Sequence, residues 1–321
     1  MKTKYIKIPT LAFALIVILL LATSFYSGLS WAKSGGISSS KNPISTNSFA
    51  VKKSQKPELK FFVMSFCPYG NQIEDVLRPV YDLLKDKADF TPQYIFEKID
   101  NLDTYCKSRS GDPAQCALYV QNSYFKTEAE CKTAITQNLN SCKDESAYIK
   151  SDNGVMYASL HGRQEANQDI REICAWNQNE DKTQWWDFIA SVNKNCTAQN
   201  ADSCWEEQAK SAGLDSTKIT ECFNNDGIKL IEEHFAVTEE NKVSASPTVL
   251  INGSIFPPEA AYTSDGKGTL KIDNKVATQD KYRTPNVVKA AVCAAFNRDP
   301  SVCKTTLNEL SGTAPSAGGC N

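Results

Sequence analysis

Residues 59 to 72 read LKFFVMSFCPYGNQ. From Leu59 to Phe66 the run is short, aromatic and β-branched, the composition of a strand covered on both faces. Pro68 suits the first turn of a helix, and beyond it Ile73, Val76, Leu77, Val80, Tyr81 and Leu84 recur at helical spacing. A fully covered strand running straight into an amphipathic helix points to an α/β sheet and leaves few other folds open. Cys67 stands at the turn. There the first amides of the helix lack intrahelical partners and, with the helix dipole, favour an anion. A thiolate is such an anion, so the corner predicts a Cys67 pKa below that of a free thiol and a sulfur facing outward for exchange. A buried structural cysteine, or half of another disulfide, is the bland reading of the same position.

Further along, Pro79 lies inside the first helix and is expected to kink it, and Pro92 to Ile99, PQYIFEKI, reads as a second strand. Thr248 to Ile251 is a strand, Asn252-Gly253 a two-residue hairpin turn, and Ser254 to Phe256 the start of the returning strand. Ser246-Pro247, a proline after a small polar residue and just ahead of a strand, is a candidate cis peptide. A closing helix follows with Thr284 as N-cap and Pro285 at its first position; Val287, Val288, Ala291, Val292 and Ala295 form its apolar side. Strand, helix, strand, then a distant hairpin and helix make an α/β sheet carrying a long insertion, from about residue 101 to 243. That insertion reads as helical and rich in disulfides. Ile173, Trp176, Trp185, Trp186, Phe188, Ile189 and Val192 are expected to pack, and a further helix opens with a cap at Asn200 or Asp202. Residues 257 to 282 suggest an extra hairpin.

The two ends differ from the middle. Lys2, Lys4 and Lys7 precede a long apolar run that ends in small residues around Trp31, so residues 1–32 read as a signal peptide cut after Ala32 or as an uncleaved membrane anchor. Residues 33–57, rich in Ser, Gly, Lys and Pro, read as a flexible linker. The fold is expected over 58–303, followed by a small-residue tail at 304–321. Lys plus Arg number 35 against 37 Asp plus Glu, with no basic block beyond the N-terminus, which argues against nucleic acid as a partner.

Twelve cysteines fit export to an extracytoplasmic compartment, secreted, periplasmic or lumenal. Spacing suggests five local pairs: Cys106 with Cys116, Cys131 with Cys142, Cys174 with Cys222, Cys196 with Cys204, and Cys293 with Cys303, although spacing alone does not fix connectivity. Cys67 and Cys320 are left over. With only His161 and His234 beside these cysteines and no repeated C-x-x-C knuckle, no metal is expected, and no cofactor. Asn195-Cys196-Thr197 and Asn252-Gly253-Ser254 fit the glycosylation triplet.

Taken together, the strand, the Cys67-Pro68-Tyr69-Gly70 corner, the proline-containing first helix and Ser246-Pro247-Thr248 before a hairpin resemble a thioredoxin fold. The resemblance implies Cys67 as nucleophile, with Pro247 and Ser246 forming the neighbouring substrate edge that Thr248 continues. Gly70 departs from the dithiol members, which carry a second cysteine there, so exchange begun at Cys67 needs another thiol to complete it. SLHGRQEANQDIREIC, residues 159 to 174, resembles the signature of the interferon-inducible lysosomal thiol reductases, C-Q-H-G-x-x-E-C-x-x-N-x-x-x-x-C. His161, Gly162, Glu165 and Cys174 match, whereas Ser159, Ala166 and Asp169 depart. From Cys174 to Cys303, the segments IREIC, WWDF, GLDSTKITEC, SPTVLING, VVKAAVCAAF and PSVC are similar to the middle lumenal region of plant vacuolar sorting receptors, which are cargo binders.

Two residues, His161 and Cys320, are candidate accessories to Cys67, and Glu165 stands beside them. His161 is an acid or base for Cys67, or a structural histidine fixing the Gly162 turn. Glu165 starts a helix with favourable charge placement. Cys320, on its small-residue tail, is a candidate resolving thiol. The expected function is a monothiol thiol-disulfide oxidoreductase or isomerase acting on protein thiols or disulfides, with an external thiol or reductant as second partner and membrane contact only through an uncleaved N-terminus. The alternative is a non-catalytic thioredoxin-fold module that binds peptide or cargo.

Overall fold

A computed structural model describes residues 46–258 and 268–310. The signal peptide or anchor expected over 1–32, the linker up to residue 45 and Cys320 lie outside them. The chain divides into two compact units, a smaller one containing Lys107–Leu139 and a larger one containing Ile44–Cys106 and the chain from Asn140 on. Among the described residues no helix is long and apolar enough to cross a membrane.

In the larger unit Leu59, Phe61, Phe62 and Val63 are all fully buried, so consecutive side chains on opposite faces find cover, as a strand packed on both sides requires. This strand, β2 (Glu58–Val63), follows β1 (Thr46–Phe49) and leads into α1 (Pro68–Leu84). The helix runs through Pro79 and buries Ile73, Val76, Leu77, Val80, Tyr81 and Leu84, the six positions that the spacing selects. Next come β3 (Asp89–Tyr94) and β4 (Glu97–Ile99). The single strand expected from Pro92 to Ile99 is thus two. The reason is the partner: β3 pairs in parallel with β2 up to Val63↔Tyr94, and Ile95 makes one more bond to the Val63 carbonyl. Beyond Val63, β2 has become the corner and offers no further ladder.

The insertion comprises α2 (Leu102–Ser110), α3 (Cys116–Gln121), α4 (Glu128–Lys143), β5 (Ile149–Lys150), β6 (Met156–Ala158), α5 (Arg163–Trp176), α6 (Thr183–Asn195), α7 (Ala201–Ser211) and α8 (Ser216–Glu240). It is not wholly helical, since β4, β6 and β5 form a small antiparallel sheet. Trp186 of α6 stacks on Phe61 of β2 with ring centroids 5.7 Å apart, and Trp185 meets Trp186 edge-on at 4.9 Å. These tryptophans are core, and they make the hydrophobic centre of α6 continuous with that of the sheet.

Three expected disulfides are present: Cys174–Cys222 between α5 and α8, Cys196–Cys204 between the end of α6 and α7, and Cys293–Cys303. The other two are corrected. Cys106 pairs with Cys142 and Cys116 with Cys131, a nested arrangement rather than two local loops. Cys131 and Cys142 lie on one helix, α4. At about 1.5 Å of rise per residue, their separation along its axis is far beyond the reach of a disulfide. Within the smaller unit Cys116, Cys131 and Ile135 form a compact cluster with Tyr119, Phe125 and Leu139.

The sheet closes with β7 (Thr248–Ile251) and β8 (Ser254–Phe256), giving the order β3-β2-β7-β8 with β7 antiparallel to β2. Asn252 and Gly253 both take positive φ, the geometry that the two-residue turn demands. A hairpin of β9 (Thr269–Ile272) and β10 (Lys275–Thr278) follows within residues 257 to 282. Then α9 (Pro285–Ala294) begins with Thr284 as its N-cap. The flexible linker expected over 33–57 is corrected from Thr46 onward: β1 pairs in parallel with β9, and Phe49 is buried edge-on against Phe256. Asn252 fastens the same stretch, accepting from the Glu58 amide at 2.9 Å and donating to the Lys52 carbonyl at 2.6 Å. In a segment otherwise made of small and charged residues, Phe49 and Val51 carry the burial that composition conceals.

Candidate functional site

Cys67 is the N-cap of α1, with extended backbone at φ −75° and ψ 115°. The Gly70 amide donates to its sulfur at 3.4 Å, and its own amide closes a turn onto the Met64 carbonyl at 3.0 Å. Opposite stands the Ser246-Pro247 peptide, which is cis. The Cys67 Sγ lies 3.5 Å from the Ser246 carbonyl oxygen. Sheet register explains how residues so distant in sequence meet. Because Phe62 pairs with Thr248, the residues just before β7 fall opposite the residues just after β2. Thr248 itself bonds through its hydroxyl to the Ala245 carbonyl at 2.7 Å, and Tyr69 packs against the apolar cluster containing Cys67.

The outward-facing thiol is corrected. Cys67 is 0% exposed and disulfide-bonded, sharing an apolar cluster with Phe62, Met64, Ile95, Val243 and Leu250. An oxidised sulfur carries no charge to keep in water, and cysteine is among the most readily buried residues. The ten other described cysteines pair among themselves.

Gly70 does more than omit a thiol. A Cβ built there falls 2.8 Å from the Ser246 Oγ and 3.5 Å from the Cys67 Cβ, so a second cysteine at this position has no room while Ser246 keeps its place. Ser246 is fully buried, and its hydroxyl finds no hydrogen-bond partner among the described residues.

Behind the corner runs α5, almost entirely buried. Glu165, Asp169 and Glu172 are spaced to lie along one face of it. Asp169 Oδ1 accepts from the Ser65 amide at 2.9 Å and from the Ser65 hydroxyl at 2.6 Å. Glu165 Oε1 accepts from the Phe66 amide at 2.9 Å, and His161 Nδ1 lies 2.7 Å from the same oxygen. Glu165 Oε2 accepts from the Ser159 hydroxyl at 2.7 Å and from the His161 amide at 2.8 Å. His161 therefore turns its ring to Glu165. Gly162, at φ +97°, supplies the left-handed turn between His161 and the helix that carries Glu165. Farther along, Glu172 accepts from the Tyr94 hydroxyl at 2.6 Å and from Gln168 at 3.0 Å, while Glu74 of α1 accepts from Asn193 at 2.7 Å.

Four carboxyl groups are thus withdrawn from water beside one corner. Burial pushes Glu172 up to about 7 and raises Asp169 and Glu74 well above the usual carboxylate range, neighbouring carboxylates adding to the rise. Tyr94 rises too, through burial and then the Glu172 charge. Ser65, Glu74, Tyr94, Asp169 and Glu172 all escape a motif-based reading. The one signal open to it was the regular spacing of Glu165, Asp169 and Glu172 along one face of a helix; the helix's many polar residues gave no sign that this face is core.

Comparison with known proteins assigns this architecture. The family model for the vacuolar sorting receptor thioredoxin-like domain matches residues 82–261, more than half of the chain. The chain belongs to that family. Vacuolar-sorting receptor 4 of Arabidopsis thaliana is 23% identical over 206 residues, covering 61% of this chain and 29% of its own length, so the chain spans less than a third of that relative. Among solved structures, reduced DsbA from Mycobacterium tuberculosis is 14% identical, with 78% of this chain and 93% of that one covered and a TM-score of 0.39. The reduced disulfide bond oxidoreductase DsbG of the same organism is 16% identical, covers 78% and 88%, and scores 0.37. Likenesses at this level carry no functional weight. The fold is thioredoxin-like with a large insertion, and its many disulfides accord with an extracytoplasmic setting. The family match takes in the acidic stripe of α5 and Ser246-Pro247-Thr248 but begins inside α1, downstream of Cys67. Family membership therefore says nothing about the corner.

Proposed function

We propose that the protein is an extracytoplasmic thiol-disulfide oxidoreductase or isomerase that acts on protein thiols and disulfides through Cys67, with Cys320 as its resolving partner. The observation that carries this reading is the placement of an oxidised Cys67 sulfur at the cap of α1, 3.5 Å from the Ser246 carbonyl. For Cys320 the support is arithmetic. Of twelve cysteines, ten are paired with one another, which leaves Cys67 and, outside the described residues, Cys320 as the cysteines available for exchange.

In the reduced chain the Cys67 thiolate, favoured by the Gly70 amide and the helix N-terminus, attacks one sulfur of a substrate disulfide. That S–S bond breaks, the other substrate sulfur leaves with the electron pair and takes a proton from water, and a Cys67–substrate disulfide remains. The Cys320 thiolate then attacks the Cys67 sulfur and the substrate leaves as a thiolate. The substrate has gained two electrons and the chain has lost two, ending as a Cys67–Cys320 disulfide; an external thiol restores the start. Run backward, the cycle oxidises a substrate dithiol. Attack by a second substrate thiol before Cys320 acts gives isomerisation. The Ser246-Pro247 segment is where a substrate backbone would lie, its Ser246 backbone facing the sulfur.

Cys320→Ser tests the proposal, because it leaves Cys67 without its resolving partner. Mixed disulfides should accumulate on non-reducing gels and vanish in Cys67→Ser/Cys320→Ser. Absence of adducts, together with a Cys67 disulfide that survives dithiothreitol in the native protein, would contradict it. That result would favour the second reading, a cargo- or peptide-binding module, which draws on the family match and the name of the plant relative, a sorting receptor.

A further inference from the structure

We infer that the His161-Gly162-x-x-Glu165 turn and Asp169 are positioning residues for Cys67: they hold the end of β2 by its backbone, and the Glu165 carboxylate, on the amide of the preceding residue, opposes ionisation of the sulfur. The inference rests on the reading that Cys67 exchanges. Its origin lies in three successive amides. Those of Ser65 and Phe66 have left the β-ladder and donate to Asp169 and Glu165 respectively, and that of Cys67 turns back to Met64. A backbone leaving a strand has donors that must be satisfied, and water or a loop carbonyl would serve. Here the acceptors are two buried carboxyl groups from one helix of the insertion.

Glu165 is occupied on both oxygens. It takes the Phe66 amide and faces His161 Nδ1 on one, and takes the Ser159 hydroxyl and the His161 amide on the other. Its side chain is 0% exposed and that of His161 30% exposed, so the histidine stands between the carboxylate and solvent. The histidine thus acts through Glu165 rather than on the sulfur. A helix N-terminus favours a thiolate and a carboxylate behind it disfavours one, so the corner sets Cys67 between opposing fields. Of the titratable groups, Tyr69 packs against the cluster that holds Cys67, Glu165 and Asp169 reach the Phe66 and Ser65 amides with His161 against Glu165, and Glu172 meets Ser65 and Tyr94 with Glu74 beyond it; His234 of α8 is held neutral, pushed down to about 4 by burial while Nδ1 accepts from the Tyr94 amide.

The test measures iodoacetamide labelling of Cys67 against pH, read at the Cys67 peptide by mass spectrometry, in the Cys320→Ser full chain where no reduction is needed. Glu165→Gln keeps an acceptor for the Phe66 amide and removes the charge, so the apparent pKa should fall by about one unit. Asp169→Asn should shift it the same way by less, because burial already favours the protonated Asp169. Glu165→Leu, which also loses the grip, should move Cys67 toward the free-thiol value of about 8.5. A merely structural network would lower thermal stability in all three and leave the profile unmoved. Unchanged profiles in folded Glu165→Gln and Asp169→Asn, with the parent labelling normally, would overturn the inference alone. Should Glu165→Gln fail to fold, Asp169→Asn and Ser65→Ala, which removes one of the two bonds to Asp169, decide it, an unmoved profile in both being contrary. A parent in which Cys67 never labels under native conditions would instead overturn the proposed function and this inference with it.

Discussion

Two helices in this protein begin with the same local grammar, and only one of them makes a site. At α1 the cap is Cys67 followed by Pro68; at α9 it is Thr284 followed by Pro285. In each the amide three residues on donates to the cap side chain, Gly70 to sulfur and Val287 to oxygen, both at 3.4 Å. A threonine hydroxyl is a favoured cap and sulfur is a weak acceptor, so capping alone would not select cysteine at residue 67. The difference lies in what the rest of the chain delivers. Thr284 meets its own helix, whereas Cys67 meets the Ser246 carbonyl through the register of β7 on β2 and stands beside a corner held by two carboxyl groups of α5. Local sequence makes a helix start; distant segments make it a candidate for chemistry.

The largest effect that can break this contrast is on exchange itself. Cys67→Ser should improve the cap chemically and still abolish mixed-disulfide formation, by at least about a thousandfold, whereas Thr284→Ala should leave it unchanged. Equal losses in both would mean that the two caps do not differ in kind. Next comes the buried acid stripe, which has no counterpart in the α9 cap's hydrogen bonding. With Glu172 pushed up to about 7 by burial, the folded chain keeps a proton that the unfolded chain has released above about pH 4.5. Its contribution is therefore full below that pH and is lost as pH rises toward 7, by up to about 3 kcal/mol. Denaturant unfolding should show stability falling across this interval, and Glu172→Gln should flatten the slope. A rise in stability over the same interval would contradict the buried stripe.

A smaller effect sharpens the meaning of Gly70. Restoring the dithiol motif by Gly70→Cys should cost about 1–3 kcal/mol through overpacking against the Ser246 hydroxyl, and adding Ser246→Ala should recover most of it. An unstrained single variant, judged by thermal melting, would show that the missing cysteine is a sequence choice and not a steric one. Smallest of all, Thr284→Ala should cost about 1 kcal/mol as the loss of an ordinary N-cap, with no change in the labelling of Cys67.

Much of the fold was legible from local pattern. The strand before Cys67, the apolar stripe of α1, the Asn252-Gly253 turn and the Thr284-Pro285 start each depend on a few adjacent residues, and each is present. The cis Ser246-Pro247 peptide could be marked as a candidate for the same reason. What escaped reading was set at a distance. The nested Cys106–Cys142 and Cys116–Cys131 pairs follow from α4 being one continuous helix, β1 from a partner beyond residue 268, and the end of β3 from the end of β2. At the site, Glu165 could be read as a helix-start charge and as a match to the His161-Gly162-x-x-Glu165 signature, but nothing local reveals that its oxygens will meet the Phe66 amide. Asp169 and Glu172 look like surface acids until α5 is seen to be buried on every side.

The central claim is that the sulfur capping α1 is a nucleophile and not a structural half-cystine. Alkylation of Cys67 against pH in the native Cys320→Ser chain tests it most directly. The account predicts labelling with an apparent pKa below about 8.5, the value of a free thiol. Labelling that appears only above that pH, or only after the chain is unfolded, would contradict it.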